Sequence, residues 1–326
     1  MMKPTLIFLL FLKILCSNQP SSTIPVSTYS IVAYDPKTGQ LGVAVQSHWF
    51  SVGFLVPWAK AGVGAVATQS FVKVEYGPDG LGLMEQGLTS DQALEALLKE
   101  DKAKDVRQVA MVDINGNVAV HTGSKCIYAA GHYVGKNFSV QANMMLNDKV
   151  IPSMKKAFLE NSKLPLAERI IKVFEAAESV GGDIRGKQSA ALIVVGSKKT
   201  DDIWKDKKID LRVDDSENPV KEIKRLLKVH RAYEHMNNGD LAIEENNMEA
   251  ALKEYSKAQN LFPENVEMSF WKAVTMINNN KIEDAKLILK EVFQKNNNWR
   301  KLILRLPDSD LISLDKAELE KLLNDI

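Results

Sequence analysis

Thr28 is the residue whose type and position are most specific for chemistry. It stands at the front of STYSIVAYDPKTGQLGVAVQSH, residues 27–48, in which two apolar runs flank a turn. A free α-amine titrates near pH ~8, so an N-terminal threonine can use its own amine to take the proton from its hydroxyl. If the Ser27–Thr28 bond is cut, Thr28 is therefore predicted to attack an amide or peptide-like bond through an acyl-enzyme. The alternative is an ordinary β-branched residue at a strand edge.

Two amide side chains complete the predicted catalytic set. Asn143, in the run QANMM, and Gln69, in the run VATQS, are candidate oxyanion donors, because amide and backbone N–H groups stabilise the negative oxygen of a tetrahedral intermediate. Other polar side chains fall at the ends of the same predicted strands or in a loop beside them. The residues predicted to line the substrate site are Gln46, Ser47, His48, Thr68, Asp183, Arg185, Gln188 and Ser189.

The stretch GGDIRGKQS has two interpretations. Asp183 and Arg185 lie in a glycine-flanked loop that precedes an apolar strand, and loops in such positions often carry function. The planar guanidinium of Arg185 could hold a substrate carboxylate. Alternatively, the two side chains form a pair that only orders the loop.

The sequence predicts neither a cofactor nor a metal site. His48, His121 and His132 show no ligand spacing and are interpreted as structural histidines. Cys126 is interpreted as a small buried hydrophobe rather than a nucleophilic thiol. The glycine-rich stretches match neither a P-loop nor a dinucleotide-binding pattern.

The first 22 residues are predicted to be a signal peptide and spacer, because a short basic start precedes an apolar run that ends near Cys16. A lipid anchor at Cys16 is the weaker alternative, since Leu15 stands where a small residue is usual. Export to the periplasm or the exterior follows, with no transmembrane span in the mature chain. Removing the leader leaves Cys126 alone, so no intrachain disulfide can form. The net charge of +1 does not indicate a nucleic-acid partner.

The elements that must position Thr28 come in blocks. Apolar β-like runs cover 28–35, 41–47 and 62–70, and helical patterns follow near 76–88 and after Thr89. A hairpin around Asn115-Gly116 and the run FSVQANM resume the strands, before helices near 147–161 and 165–180. Strands in blocks with helices in pairs predict an α+β domain of segregated layers over residues 27–215.

From about residue 219 the pattern is helical and contains a repeat. Gly239 recurs as Ala273 and Ala251 as Ala285, both at a spacing of 34 residues, which is the tetratricopeptide period. We expect residues 219–326 to form a tetratricopeptide-like helical domain that binds a protein or a cell-wall peptide. A generic helical hairpin is the alternative, and the oligomeric state is left open between a monomer and a homo-oligomer.

Long motifs in the first domain are similar to the bacterial family called domain of unknown function 1028. They include TYSIVAYDPKTGQLGVAVQS, VPWAKAGVGAVATQS, YGPDGLGLM, AGHYVGKNF and GGDIRGKQSAALIVV. The resemblance implies an αββα sandwich like that of N-terminal-nucleophile hydrolases. It also implies that the helical tail is similar to one described as a candidate peptidoglycan-binding region.

The resemblance to true hydrolases is incomplete. Proteasome-type sites similarly use an acidic residue at the end of the second strand and a lysine after the third, whereas this chain has Gln46-Ser47 and Thr68-Gln69 at those places. The rival hypothesis is therefore a non-catalytic envelope protein that binds a ligand or another protein with the same sandwich. The substrate of the leading hypothesis is a small molecule or a peptide-like amide.

Overall fold

The computed structural model describes residues 25–26 and 28–326. The predicted signal peptide, the Cys16 anchor and the Ser27 side of the Ser27–Thr28 bond lie outside the described residues. The chain divides into two units between residues 223 and 224, a few residues beyond the predicted domain end at 215. The mixture of α and β elements, followed by a helical C-terminal region, confirms the α+β prediction and the helical tail.

The strands form where β-branched and alanine residues dominate, as in TYSIVAYD and SAALIVV. Every strand pairing in the described part of the chain is antiparallel. The strands are β1 Pro25–Val26, β2 Thr28–Asp35, β3 Gln40–Ser47, β4 Pro57–Lys60, β5 Gly64–Phe71, β6 Arg107–Asp113, β7 Val118–Thr122, β8 Gly131–Gly135, β9 Phe138–Ala142, β10 Ser189–Val195 and β11 Lys207–Val213.

Two sheets face each other. One has the order β11-β10-β3-β2-β9-β8, and in the other β5 pairs with β6, β6 with β7, and both β1 and β4 with β5. Their facing side chains form a buried core in which Val43 and Val45 of β3 lie with Ala67 of β5 and Ala110 of β6. The small alanines on the second sheet let the two sheets approach closely. Thr28 starts β2, which lies inside the six-stranded sheet rather than at an edge.

The first unit also contains five α-helices in its described part. They are α1 Tyr76–Glu85, α2 Ser90–Glu100, α3 Val150–Glu160, α4 Leu166–Ser179 and α5 Ile203–Asp206. The sequence correctly predicted the capping box at the start of α2: Thr89 Oγ1 accepts the Gln92 amide (3.3 Å), and Gln92 Oε1 accepts the Thr89 amide (2.9 Å).

The helices lie on the outer faces of the two sheets. Helices α1 and α2 pack on the five-stranded sheet, where Tyr76 and Met84 join Met111 in a buried cluster. Helices α3 and α4 cover the six-stranded sheet, and the Phe174 ring stands edge-on to Tyr29 at 5.1 Å between centroids. The result is a helix pair, two sheets and a second helix pair in four layers.

The sequence did not predict three of the strands. β1 has two residues, β4 has four, and β8 (GHYVG) is half exposed with glycine at both ends. Short edge strands carry little apolar periodicity, because few of their side chains are buried. Such strands exist through pairing with a neighbour, here β5 for β1 and β4, and β9 for β8.

The second unit is helical. Its helices are α6 Pro219–Glu244, which starts before the division of the units, α7 Met248–Leu261, α8 Val266–Asn278, α9 Ile282–Lys295, α10 Asn298–Ile303 and α11 Lys316–Asn324. Ala251, Ala273 and Ala285 are fully buried, as expected of small residues where helices approach closely. A side chain at Gly239 would overlap the Tyr255 ring. The tetratricopeptide assignment itself stays a prediction.

Helix α1 offers a matched test of packing. We expect Gly82→Ala to raise the free energy of unfolding by about 0.5–1 kcal/mol, because nothing lies within 4 Å of the added methyl group and alanine favours the helix. Gly77→Ala should lower it by about 1–3 kcal/mol, because the methyl group would overlap the Trp58 ring. Urea unfolding of both variants measures the difference. Effects of the same sign would contradict the packing of α1 on β4.

Candidate functional site

Thr28 faces the space between the two sheets. It pairs with Ser47 of β3, and Ser30, two residues further along the same face, donates a hydrogen bond to Gln69 of β5 (2.6 Å). The Thr28 side chain is fully buried, and its Oγ1 donates to the carbonyl oxygen of Val26 at 2.6 Å. The Thr28 hydroxyl therefore lies at the start of a central strand, and it is hydrogen-bonded to the backbone of the preceding segment.

Gln69 and Asn143, predicted from the sequence as oxyanion donors, both contact the backbone of Thr28, and the oxyanion role itself stays a prediction. The Thr28 carbonyl oxygen accepts the Asn143 backbone amide at 3.1 Å and Gln69 Nε2 at 3.3 Å. Both side chains also donate to Gln108 Oε1, Gln69 at 2.6 Å and Asn143 at 2.9 Å. The two residues thus hold the backbone of Thr28 in place.

Gln108 is the centre of this cluster, although it was not among the residues predicted from the sequence. Its Nε2 lies within 3.0 Å of three acceptors, Thr122 Oγ1 and the carbonyl oxygens of Gly131 and Ala142. With Oε1 accepting from both Gln69 and Asn143, Gln108 ties the two sheets together beside Thr28. The available signal was one amide directly before the apolar run VAMV of this strand, because a polar group in such a position needs buried partners.

The cluster around Thr28 is made of neutral groups. We call Thr28, Gln69, Gln108 and Asn143 the amide cluster. Asn143 Oδ1 is buried and has no hydrogen-bond partner among the described residues. Since Nδ2 of the same amide lies 3.5 Å from the Thr28 carbonyl oxygen, this unused acceptor is close to Thr28.

Gln46 and Thr68 lie on other faces of their sheets. Gln46 pairs with Tyr29, which points to α4 and donates its hydroxyl proton to Glu178 (2.6 Å). Side chains alternate along a strand, so Thr28 and Gln46 lie on opposite faces of the six-stranded sheet. Thr68 is adjacent to Gln69 on β5 and donates to the Lys73 carbonyl oxygen (2.9 Å). The prediction that both residues accompany Thr28 overlooked this alternation.

The protein interior beside α4 disfavours the ionised form of Tyr29. Burial, together with the charge and hydrogen bond of Glu178, holds the pKa of Tyr29 well above its ordinary value. Lys187 lies 2.6 Å from the same carboxylate. Gln46, on this face, is fully buried, and neither atom of its amide has a partner in the described part of the chain.

The layered unit with its polar centre matches a known protein family. Residues 28–223 match the model of the "Family of unknown function (DUF1028)". The chain belongs to this family. The match starts at Thr28 and ends where the first unit ends, so it covers the layered unit and not the helical one.

A solved structure supports the assignment of the DUF1028 unit. The crystal structure of protein SPO2555 from Silicibacter pomeroyi, which carries the same family label, is 27% identical in sequence. The similarity has a TM-score of 0.55 and covers 62% of this chain and 88% of that one. A search of curated proteins gives no match.

In this DUF1028 chain, Arg185 is paired with Asp183. The guanidinium donates to the carboxylate through Nε (3.1 Å) and Nη2 (2.7 Å), and Asp183 also accepts the His48 backbone amide (3.2 Å). Asp183 is buried and Arg185 is half-buried. This geometry corresponds to the loop-ordering interpretation of the pair.

The remaining predicted site residues join this end of the sheet to its loops. Ser47 lies between Thr28 and Ser189 in the row of strand pairs. Ser189 Oγ donates to the Trp49 carbonyl oxygen and accepts the Val52 amide. Separately, Gln188 Nε2 donates to Asp215 (3.2 Å). Ser47 and Ser189 therefore share the sheet end with Thr28, and Gln188 contacts the chain beyond β11.

The histidines and Cys126 have structural contacts. His121 Nε2 lies 2.8 Å from the Lys104 carbonyl oxygen and His132 Nδ1 lies 2.8 Å from Thr122 Oγ1. Burial and the nearby His121 lower the pKa of His132, whereas burial raises the pKa of Cys126. Over residues 25–26 and 28–326, no three His, Cys, Asp or Glu side chains are grouped to hold a metal ion. In the same residues no helix combines the length and apolarity that crossing a membrane requires.

Proposed function

We propose that this DUF1028 chain is an exported amide hydrolase whose nucleophile is Thr28 after the residues before it are removed. The observation that carries the proposal is the place of Thr28: it begins a central strand, faces the inter-sheet space, and is bonded through its backbone to the amide cluster. An N-terminal nucleophile needs this combination of a fixed strand start and nearby donors.

The proposed chemistry assigns roles to Thr28, Gln69 and Asn143 of the amide cluster. The freed α-amine of Thr28 takes the proton from Oγ1, which then attacks an amide carbonyl carbon. Gln69 and Asn143 position Thr28 by holding its carbonyl oxygen. The unpartnered Asn143 Oδ1 is a ready acceptor for the α-amine, so the amine would be oriented as a base rather than left to rotate.

The four layers support the proposal that the first unit has an N-terminal-nucleophile-hydrolase fold. A helix pair on each side of two antiparallel sheets is the arrangement expected for an N-terminal-nucleophile-hydrolase fold. We assign the helical unit to a tetratricopeptide-like module that binds a protein or a cell-wall peptide. Its support is the buried alanines at the 34-residue spacing and the close contact of Gly239 with Tyr255.

A second candidate function is a non-catalytic envelope protein that binds a ligand or another protein. It is favoured by the neutral character of the amide cluster, which lacks the lysine and acid of proteasome-type sites. The two candidates differ in their demand on the Ser27–Thr28 bond, because a binding protein has no need of a free amine at Thr28.

The mature N-terminus tests the proposal. We expect the mature exported protein to begin at Thr28, because only then is the α-amine of Thr28 free to act as the base. Intact-mass measurement and N-terminal sequencing of the exported protein give the answer directly. A mature chain that begins at residues 17–23 would contradict the nucleophile and favour the binding protein. The same measurement on protein collected with protease inhibitors controls for trimming during purification.

A further inference from the structure

The edge of β5 beside Thr28 is occupied by the residues that precede Thr28 in the chain. β4 covers this edge of β5 only as far as Ala67. The next part of the edge pairs antiparallel with β1, which places Val26 opposite Ser70. A two-residue strand from the segment before the candidate nucleophile thus completes the sheet.

Val26 is buried in the way that a side chain of a bound peptide would be. It is 1% exposed and belongs to the core between the sheets. Its carbonyl oxygen accepts the Thr28 hydroxyl at 2.6 Å. Any extended chain that pairs with this part of β5 therefore passes directly beside the Thr28 hydroxyl.

The edge is held in place by groups that do not belong to β1. Arg107 of β6 donates to the carbonyl oxygen of Phe71, at the end of β5. The same guanidinium lies 3.0 Å from the Asp101 carboxylate, and both side chains are buried. Tyr76 also donates to Asp101, at 3.1 Å. If β1 leaves, the edge keeps its shape and presents unpaired backbone groups to another extended chain.

We propose that the acyl part of the substrate is an extended peptide that adds to β5 in the place of β1, with a small β-branched apolar side chain where Val26 lies. This inference rests on the proposed function. The residue whose carbonyl carbon is attacked corresponds to chain position 27, so the apolar residue is the second one before the cleaved bond.

The reaction on such a peptide needs no reagent other than water. Thr28 Oγ1 forms an ester bond with the substrate carbonyl carbon, the C–N bond breaks, and the hydroxyl proton passes through the α-amine to the leaving nitrogen. Water then cleaves the ester, which releases the peptide acid and restores the Thr28 hydroxyl. Once freed from the ester, the peptide acid is the product that the edge of β5 would still bind non-covalently.

The test uses the chain that begins at Thr28 and two peptides. Removing residues 1–27 takes Val26 from the inter-sheet core and keeps all residues of β2 to α11 in the chain. The probe is acetyl-Ile-Pro-Val-Ser with a free carboxylate, which copies residues 24–27, and its control is acetyl-Ile-Pro-Asp-Ser. We expect the first to bind at least about tenfold more tightly, because the control would bury an unpaired carboxylate. Calorimetry measures the affinities, and hydrogen exchange should show new protection at residues 70–72.

Each outcome decides between the inference and the proposed function. Equal affinities, or protection at the outer strands β7, β8 or β11 instead, would overturn the inference. Tight, selective binding without hydrolysis would overturn the Thr28 chemistry and keep the peptide-binding edge. Hydrolysis that depends on Thr28 but does not distinguish the valine peptide from its control would overturn the peptide-binding edge and keep the Thr28 chemistry. If the shortened chain does not fold, the full chain with Val26→Asp replaces it: the valine peptide, and not its control, should raise its unfolding temperature.

Discussion

Thr28→Ala is expected to lower kcat/KM for amide hydrolysis by at least about a thousandfold in the chain that begins at residue 28. The substitution removes the only atom that forms the acyl-enzyme and leaves the amine without a proton to accept. The fold should persist, because the hydrogen bond of Oγ1 to the Val26 carbonyl oxygen is already missing from the chain that begins at residue 28. A fluorogenic amide of acetyl-Ile-Pro-Val-Ser is the substrate for the measurement.

Two variants make this result specific. Thr28→Ser keeps a hydroxyl on the β-carbon next to the amine and should retain measurable activity. Thr275→Ala removes another buried threonine hydroxyl, which donates to the Trp271 carbonyl oxygen at 3.0 Å in the helical unit, and should leave the rate unchanged. If Thr28→Ala hydrolyses the substrate as fast as the parent chain, Thr28 is not the nucleophile and the binding protein becomes the better hypothesis.

Arg107→Met should have the largest effect on stability, lowering the free energy of unfolding by about 3–5 kcal/mol. The substitution leaves the buried Asp101 carboxylate without the guanidinium at 3.0 Å. It also removes the donor to the Phe71 carbonyl oxygen, at the end of the proposed peptide-binding edge. Urea unfolding with an unchanged m-value measures the loss as a shift in midpoint.

The control for Arg107 is a pair at the surface. Lys156→Met breaks an exposed pair in which Nζ lies 3.9 Å from Glu160, and such pairs contribute at most about 0.5 kcal/mol. The double variant Asp101→Asn with Arg107→Met should recover part of the loss, because no charge then remains buried. A loss below about 1 kcal/mol for Arg107→Met would show that water replaces the guanidinium.

Acid should weaken the same region. Burial by itself would raise the pKa of Asp101, but hydrogen bonds from the Ala103 amide and from Arg107 outweigh it and lower the pKa below its ordinary value. The folded pKa lies below the unfolded one, so the stabilisation from Asp101 is present above the unfolded pKa of about 3.9. It is lost as the pH falls through the folded value. Urea midpoints measured at decreasing pH should therefore fall less steeply for Asp101→Asn than for the parent chain.

Local signals in the sequence predicted much of the layered unit. The hairpin of β2 and β3, the Asn115-Gly116 turn and the capping box of α2 depend on contacts between near neighbours in the chain. β1, β4 and β8 were not predicted, because each depends on a partner strand that no local pattern identifies.

The candidate site was predicted in part for the same reason. Thr28, Gln69 and Asn143 were named from strand ends and residue type, and they do meet. Gln108 was missed because its importance comes from two sheets that approach each other. Gln46 was placed with Thr28 because both lie at one strand end, although side-chain alternation puts them on opposite faces.

By itself, the sequence determined that Thr28 stands at the start of a strand, that strands and paired helices form the first unit, and that helices form the second. Those features follow from side-chain type, turn residues and periodicity, which act over a few residues. Only the tertiary structure decided which amides surround Thr28, and that the segment before Thr28 lies on β5 with its carbonyl oxygen on the Thr28 hydroxyl. The contacts between Thr28 and these amides join residues about 40 to 115 positions apart, and only the packing of two sheets fixes distances of that kind.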